Sequence, residues 1–358
     1  MDFSSDNSVG AAPAILEALS AASTGSATSY GGDALSERVR QRFCDLFERE
    51  VAVLLLPTGT AANGLALAQF TPPYGAILCH ETSHAYTSEC AAPEFFTGGA
   101  KLIQLQGAGG KLTGRHIAAA VKAYGDHRPH TAPLAALTLT QASELGTVYA
   151  PGDLAETCAA ARGAGLKVHM DGARFANAMA TLRCTPAEAT WRAGVDALTF
   201  GATKNGAIAA EALIFFDPAD AKDVAFRQKR AGHLWSKHRF LAAQMDAYLN
   251  DDLWLALAAR ANRAAQRLAD GLARLPGVRL PYPTQANEVF AKLPAHLADA
   301  LQSAGALFYP WEEDTTGDAC TLYRFVASFE TRDSEVDEAI AVLTKAARPN
   351  MKQTPAHV

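Results

Sequence analysis

Short apolar runs alternate with helix-like segments through much of the chain, and this alternation restricts the folds that it can adopt. The apolar runs cover residues 51–56, 76–79, 102–105, 134–139, 166–170, 195–200 and 212–216. Helical spacing is found at residues 13–22, 36–50 (with Ser36 as the cap), 61–70, 116–123, 153–164 and 185–192. Strands that alternate with helices at this spacing predict a mostly parallel sheet with helices on both faces.

A second, smaller unit is predicted after the sheet, because 358 residues exceed the length that one hydrophobic core usually serves. Its predicted elements are helical residues 224–274, strands 288–293 and 322–329, and helices at 295–304 and from 334. We expect an α/β protein with an N-terminal arm and large domain over residues 1–250. A small C-terminal α+β domain is expected over residues 251–358.

The composition excludes several classes of protein. Apolar residues make up 49% of the chain and charged residues 19%, which rules out a mainly disordered protein. The net charge is −5 and no basic block is present, so we expect no nucleic-acid partner. The sequence has no apolar run of about 18 residues, so we expect no membrane span.

The cysteines and the N-terminal residues bear on the compartment. None of the six cysteines, and none of the histidines, has the spacing of metal ligands, so we expect reduced thiols and no metal site. The opening residues MDFSSDNSVGAAP lack the pattern of a signal peptide. These features predict a cytoplasmic protein.

Residues 168–206 carry the strongest chemical signal. One strand is followed by Asp171 and Arg174, and the next strand runs through Gly-Ala-Thr to Lys204. An amine that can form a Schiff base, beside a carboxylate that keeps a pyridine nitrogen protonated, is what pyridoxal phosphate chemistry requires. The alternative is a surface lysine and a capping aspartate, and this stretch alone does not decide between the two.

Several other residues also follow predicted strands by a few positions. They are Gly59, His84 and Gln141, in addition to Asp171 and Lys204. Ligands of such sheets bind beyond the carboxyl ends of the strands, so we expect these residues to converge on one edge. This shared position favours a cofactor site more than any single residue does.

The turn PTGTAAN, residues 57–63, joins a buried strand to a helix. Free N–H groups at the start of a helix bind anions, and Gly59 and Thr60 are placed to hold one phosphate. The glycine patterns of mononucleotide and dinucleotide sites are absent. A plain helix cap is the alternative.

Arg324 lies within an apolar strand, where an unpaired guanidinium is costly. A substrate carboxylate would give it a bidentate partner, and an internal ion pair is the alternative. His84 is placed to stack on a cofactor ring or to serve a structural role. His127 and His130 lie in a polar loop before a strand, where a lone histidine faces solvent by default.

Seven blocks of the sequence, taken together and in order, resemble the L-threonine aldolases, most closely the bacterial low-specificity enzymes of the β-eliminating lyase group. They are SDN at 5–7, YGGD at 30–33, TGTAAN at 58–63, His84, ECAAPEFF at 89–96, HMDGAR at 169–174 and FGATKNG at 200–206. The likeness runs from about residue 3 to about residue 345. The blocks around Asp171 and Lys204 are highly specific, whereas the phosphate turn is not.

The resemblance implies the aspartate aminotransferase-like fold of type I pyridoxal phosphate enzymes, with active sites at a subunit interface of a homodimer or homotetramer. The implied cofactor residues are Lys204 for the Schiff base, Asp171 for the ring nitrogen, His84 for stacking, Gly59 and Thr60 for the phosphate, Arg174 beside the cofactor, and Lys229 and Tyr30 reaching a neighbouring subunit's phosphate. The implied substrate-carboxylate residues are Ser5, Arg174 and Arg324. His130 matches the histidine assigned to the substrate β-hydroxyl, with His127 as the fallback.

The activity implied by the resemblance is retro-aldol cleavage of L-threonine, L-allo-threonine and other β-hydroxy-α-amino acids to glycine and an aldehyde. Alternatives are a related lyase or transaldolase acting on substrates such as L-phenylserine, a pyridoxal phosphate-binding protein without catalysis, and a nucleotide-binding α/β protein. The stretch at 311–320 is longer than the resemblance leads us to expect, which bears on the aldehyde preference.

Overall fold

The computed structural model describes residues 1–125, 127–311 and 320–348. A seven-stranded sheet forms its centre, in the order β1-β7-β6-β5-β4-β2-β3. The strands of this sheet are β1 Ala52–Leu56, β2 Ala76–His80, β3 Lys101–Leu105, β4 Leu134–Thr140, β5 Lys167–Gly172, β6 Ala197–Gly201 and β7 Glu211–Phe215. The polar loop at residues 315–319 lies outside the described residues.

The direction of the strands brings most of their carboxyl ends to one edge. Strand β7 runs antiparallel to both β1 and β6, and the remaining pairs are parallel. The first residue of β7, Glu211, therefore pairs with Leu56 and Gly201 at the last residues of its two neighbours. The same edge thus collects the ends of six strands and the start of one.

Helices surround this sheet and cover the smaller one. They are α1 Pro13–Ala22, α2 Ala34–Leu46, α3 Gly59–Phe70, α4 His84–Thr87, α5 Ala92–Thr97, α6 Gly114–Tyr124, α7 Pro151–Gly163, α8 Phe175–Thr181, α9 Val224–Arg230, α10 Arg239–Leu249, α11 Leu253–Leu272, α12 Ala295–Ser303 and α13 Asp333–Ala346. Helix α3 is buried all along residues 61–68, because its small and apolar side chains let it lie close against the sheet. None of the described helices is long and apolar enough to cross a membrane.

The smaller sheet has the order β8-β10-β9, with β8 Glu288–Pro294, β9 Tyr309–Pro310 and β10 Cys320–Val326. The N-terminal arm lies against it, since the N–H of Phe3 donates to the carbonyl of Leu307 and the N–H of Val326 donates to the carbonyl of Phe3. Helix α11 contributes to both cores, with Trp254 in the larger and Leu268 in the smaller. These two sheets confirm the predicted fold class, and the domain division at residue 250 stays a prediction.

Two local predictions were wrong. Residues 185–192 form turns and the beginning of a single 3₁₀ turn rather than a helix, because Thr190 has φ −137° and ψ −104°. The helix predicted from residue 36 begins at Ala34, and its cap is Asp33, whose carboxylate accepts the N–H groups of Leu35 and Ser36. Neither difference alters the edge at which the functional side chains meet.

Candidate active site

A pocket of about 230 Å³ lies at the carboxyl ends of β1, β5 and β6. Its lining residues are Asn7, Pro57, Thr58, Gly59, Thr60, Asn63, His84, Glu89, Asp171, Ala173, Thr203, Lys204 and Glu211. The predicted convergence is therefore observed for Gly59, His84, Asp171 and Lys204, whereas Gln141 does not line the pocket. A larger groove of about 830 Å³ lies between α11 and α13, but no predicted site residue lines it.

The turn between β1 and α3 has the features of an anion site. The hydroxyl of Thr58 caps α3 by accepting the N–H of Ala61 at 3.2 Å. No atom lies within 4 Å of the position that a Cβ on Gly59 would take, so the space above this residue is open. The N–H groups of Gly59 and Thr60, at the start of the helix, have no intrahelical acceptor. A phosphate would be bound there by the same groups that begin the helix.

Asp171 is held as a buried carboxylate. One of its oxygens accepts the amide of Asn63 at 2.8 Å, and the other accepts the backbone N–H of Ala173 at 3.0 Å. The amide nitrogen of Asn63 also donates to Glu89 at 2.8 Å. Asn63, the fifth residue of α3, thus fixes two carboxylates near the strand ends.

His84 begins the short helix α4 and faces the pocket with a half-exposed ring. Its Nδ1 lies 2.9 Å from Oε1 of Glu89, and its backbone N–H donates to Glu144 at 2.8 Å. The bond to Glu89 raises the pKa of His84, although burial acts in the opposite direction. The ligand atoms of His84, Glu89 and Asp171 also lie within 4.8 Å of one another, a spacing that suits a cation.

Lys204 lies in the single 3₁₀ turn Thr203–Asn205 that follows β6. The amide of Asn205 anchors this turn by donating to the hydroxyl of Tyr248 at 2.7 Å and to the carbonyl of Trp254 at 2.8 Å. Gly206 ends the turn with φ +109°, a conformation that favours glycine. The lysine side chain therefore projects from a backbone that is fixed on both sides.

Arg174 and Arg324 meet at a buried carboxylate. Arg174 donates twice to Asp6, at 2.7 and 3.1 Å, and lies 3.4 Å from Glu288. Arg324 lies 3.7 Å from the other oxygen of Glu288 and stacks 5.0 Å from the ring of Trp311. Burial opposes the charge of Asp6, but Arg174 and Lys204 hold the pKa of that carboxyl below its ordinary value. The internal ion pair considered for Arg324 is therefore present.

The N-terminal arm brings polar groups to the same place. Asn7 lines the pocket, and its N–H donates to the hydroxyl of Ser5 at 3.1 Å. Between them, Asp6 is almost fully buried and also accepts the amide of Asn287 at 3.0 Å. Ser5 therefore lies one residue before Asp6, which binds Arg174, and two residues before Asn7, which lines the pocket.

Four other predicted residues lie outside the pocket of this chain. Tyr30 and Lys229 are exposed and contact each other, with the amine 4.9 Å from the ring. His127 and His130 are exposed and lead to the amino-terminal end of β4, whereas the pocket is at the carboxyl ends. The structure does not bring His130 to the site within one subunit, because its loop precedes the strand.

Gln141 reaches the expected edge, but its side chain has a structural role. Its amide oxygen accepts the N–H of Tyr149 at 2.9 Å and its amide nitrogen donates to the carbonyl of the same residue at 3.1 Å. The residue is fully buried and does not line the pocket.

Sequence reasoning assigned no role to several acidic groups and one amide in and beside the pocket. They are Asp6, Asn63, Glu89, Glu211 and Glu288. Glu211 and Glu288 are each the first residue of an apolar strand. A carboxylate buried there needs a partner, so this position in the sequence could have indicated a functional role. Burial raises the pKa of Glu211 to about 7, although Thr203 and Lys204 act in the opposite direction.

The chain is similar to known proteins over nearly all of its length. The family model described as Beta-eliminating lyase matches residues 2–295. A low specificity L-threonine aldolase of a Pseudomonas species is 43% identical over 340 residues, which cover 95% of this chain and 96% of the relative. An enzyme of the same name from Pseudomonas aeruginosa is 44% identical over 337 residues, covering 94% and 95%.

Solved structures give the same result for the fold. The Leishmania major threonine aldolase has a TM-score of 0.91 at 26% identity and covers 97% of this chain and 99% of its own. A serine palmitoyltransferase from Sphingomonas wittichii has a TM-score of 0.70 at 17% identity, with 97% and 86% covered, and shares the fold alone.

Proposed function

The chain belongs to the beta-eliminating lyase family, and we propose that it is a pyridoxal phosphate-dependent aldehyde-lyase. Its substrates are L-threonine, L-allo-threonine and related β-hydroxy-α-amino acids, which it cleaves reversibly to glycine and an aldehyde. The observation that carries the proposal is the pocket in which Lys204, Asp171 and the open anion site at Gly59 meet. The names of the two Pseudomonas relatives support the reaction.

The described residues fit this cofactor. Lys204 supplies the amine for a Schiff base, Asp171 supplies a buried carboxylate for the ring nitrogen, and the first turn of α3 supplies N–H donors for the phosphate. Buried polar atoms of the pocket wall also lack a partner, namely Oδ1 of Asn63, Oε2 of Glu89 and Oε2 of Glu211. Unpartnered polar atoms at one pocket indicate that it is built for a polar ligand. The bound cofactor would supply an electron sink for the carbanion left at Cα.

Asp171 has the task of keeping a negative charge opposite the ring nitrogen. The donors from Asn63 and Ala173 hold its two oxygens at fixed positions. Because these donors are in place before the reaction, no reorganisation is needed when charge develops.

Arg174 and Arg324 would grip the substrate carboxylate together with Ser5. Glu288 holds the two guanidinium groups near each other, and Asp6 fixes Arg174 from the arm. A fixed carboxylate sets the rotation about Cα, so that the Cα–Cβ bond stands perpendicular to the ring plane. This orientation selects which bond is broken.

The proton of the substrate β-hydroxyl needs an acceptor. Within this chain, His84 is the pocket-lining histidine, and Glu89 stabilises its protonated form. His130 is the second proposed acceptor, contributed by the loop of another subunit. Both roles are general-base roles that require the neutral imidazole at the start of the step.

An aldehyde-release assay with L-threonine, L-allo-threonine and L-phenylserine tests the function. We expect one glycine for each aldehyde released, and the reverse reaction on mixing glycine with the aldehyde. Production of ammonia and a keto acid from L-threonine would instead identify an elimination enzyme. Absence of any visible absorption band in the purified protein would contradict the cofactor.

A homo-oligomeric assembly in the cytoplasm completes the proposal. Tyr30 and Lys229 are exposed and paired outside the pocket, as residues serving a neighbouring subunit's phosphate would be. The six cysteines are free thiols, which agrees with a reducing compartment. Light scattering after size exclusion distinguishes a dimer or tetramer from a monomer.

A further inference from the structure

Glu211 is a pocket residue whose chemistry the proposed reaction does not use. It is the first residue of β7 and pairs with the last residues of β1 and β6. Glu211 therefore lies where the turn at residues 57–63 and the turn Thr203–Asn205 both begin. Only 6% of the residue is exposed, yet it lines the same pocket as Lys204. A glutamate placed there is enclosed by the cofactor site and has little access to solvent.

The partners of Glu211 leave one oxygen free. Its carboxylate bonds to Thr203, the residue before Lys204, through both the hydroxyl and the backbone N–H. The hydroxyl of Thr203 in turn accepts the N–H of Ala210 at 3.2 Å. The second oxygen, Oε2, is buried and has no hydrogen-bond partner among the described residues. A buried carboxylate oxygen without a donor is costly unless a ligand or a mobile side chain supplies one.

The other two carboxylates of the pocket bond to different groups of the site, although Oε2 of Glu89, like Oε2 of Glu211, is buried without a partner. Asp171 accepts from Asn63 and from a backbone N–H, and Glu89 is bonded to His84 and Asn63. Among these three described pocket carboxylates, Glu211 is the one that bonds to neither a histidine nor an asparagine. Lys204 is the cation of the pocket that acts on Glu211, and its charge favours the ionised carboxylate.

We propose that Glu211 is a positioning residue that acts through Lys204, with its carboxylate serving as the counter-charge of the lysine side chain. The inference rests on the proposed function, because it assigns Glu211 to the lysine that carries the cofactor. Its bond to Thr203 orients the turn, and its unpartnered oxygen belongs to the same pocket wall as Lys204. The consequence is that the visible absorption band of the holoenzyme persists to higher pH with the charge of Glu211 than without it.

Other charged groups also act on Lys204, but they are engaged elsewhere. Asp6 is bound to Arg174 and Asn287, and Glu288 is shared by two arginines. His84 carries a charge of the same sign when protonated. Asp171 and Lys204 are the charged groups that act on Glu211 itself. The effect assigned to Glu211 therefore has to be separated from these by substitution at residue 211 alone.

The test is a pH titration of the visible absorption band of the holoenzyme without substrate. Glu211→Gln keeps the size of the side chain and an oxygen to accept from Thr203, but removes the charge. A nearby opposite charge shifts a pKa by about one unit or more, so the variant should lose its band about one pH unit or more below the wild type. Glu211→Asp, which retains the charge, should stay closer to the wild type.

Glu144 provides the matched control. It is a half-buried glutamate whose carboxylate bonds to a threonine hydroxyl and to the backbone N–H of His84. Burial raises the pKa of this carboxyl to about 7, as it does for Glu211, but Glu144 does not line the pocket. Glu144→Gln should leave the pH of band loss near that of the wild type. If Glu211→Gln keeps its band over the same pH range as the wild type, or if Glu144→Gln shifts it equally, the inference is overturned. A wild-type protein without a band would overturn the proposed function instead.

Discussion

At the scale of single residues, the amine of Lys204 is the group on which the proposed chemistry most directly depends. Lys204→Ala should abolish the visible absorption band and lower aldehyde release by about 10³-fold or more, because no other lysine lines the pocket in the described residues. Lys101→Ala, at an exposed position of β3, is the control and should change neither quantity. A visible band that survives in Lys204→Ala would refute the assignment.

The pair formed by His84 and Glu89 predicts a pH dependence. The bond to Glu89 raises the pKa of His84. If the neutral imidazole accepts the substrate proton, the rate rises as the pH increases through this pKa. Glu89→Gln removes the negative charge, so the pKa falls and the acid limb of kcat/KM should move to lower pH by about one unit. His84→Gln should remove the limb, and a limb that stays in place in Glu89→Gln would exclude His84 as the base.

The residues that sequence reasoning found differ in kind from those it missed. Asp171, Lys204 and Gly59 follow strands of a predicted parallel sheet, so topology alone places them at one edge. Asp6 and Glu288 belong to a buried ion-pair group that joins the arm to β8, and nothing local in the chain predicts such a contact. Pairing between distant segments sets the role of these side chains.

At the scale of elements, the turn after β6 determines where Lys204 points. Gly206 and Gly232 both have positive φ, +109° and +79°, but only Gly206 is packed, since an added Cβ would lie 3.0 Å from Leu257 and 3.2 Å from Ala12. Alanine strains the backbone at both positions. Gly206→Ala should cost about 1–3 kcal/mol more in the free energy of unfolding than Gly232→Ala, through overpacking.

Chemical denaturation of the two glycine variants, with cofactor content measured in parallel, checks this expectation. We expect the Gly206 variant alone to bind the cofactor weakly, because the turn that it distorts carries Lys204. Equal losses of stability in the two variants would mean that backbone strain, and not packing around the turn, is the dominant effect.

The direction of each strand could not be predicted from the periodicity of the sequence. Seven apolar runs of similar length predicted seven strands, but an apolar run does not indicate the direction in which its strand runs. Strand β7 is antiparallel to both of its neighbours. This reversal brings the start of β7, and with it Glu211, to the edge where the other strands end. The predicted helix at residues 185–192 failed for a local reason, because the backbone at Thr190 is not helical.

At the scale of the whole molecule, the site is assembled from both sheets. The lysine, the aspartate and the phosphate turn come from the larger sheet, whereas Arg324 and Glu288 come from the smaller one. The arm pairs with the smaller sheet and delivers Asp6 and Asn7 to the larger one. A substrate bound by both arginines and the lysine therefore connects the two cores. Because the arm contacts both, substrate analogues should protect the arm from proteolysis.

His169 couples the stability of the whole fold to pH. It lies fully buried in β5 between the hydroxyls of Thr138 and Thr199, and burial lowers its pKa from the ordinary 6.5 to about 4. The unfolded chain thus takes up this proton at a higher pH than the folded protein. The contribution to stability is complete above pH 6.5 and is lost as the pH falls toward 4, by on the order of 3 kcal/mol.

His169→Gln isolates this contribution, because glutamine bonds to hydroxyl groups but does not titrate. The difference in free energy of unfolding between the wild type and the variant should shrink by about 3 kcal/mol between pH 7 and pH 4. His296→Gln, at an exposed position of α12, is the control and should show a much smaller change. Buried carboxyls such as Glu144 and Glu211, whose pKa values burial raises to about 7, act in the opposite sense. Because these carboxyls are common to both proteins, they cancel in the difference. A difference that stays constant with pH would show that His169 binds its proton equally in the folded and the unfolded state.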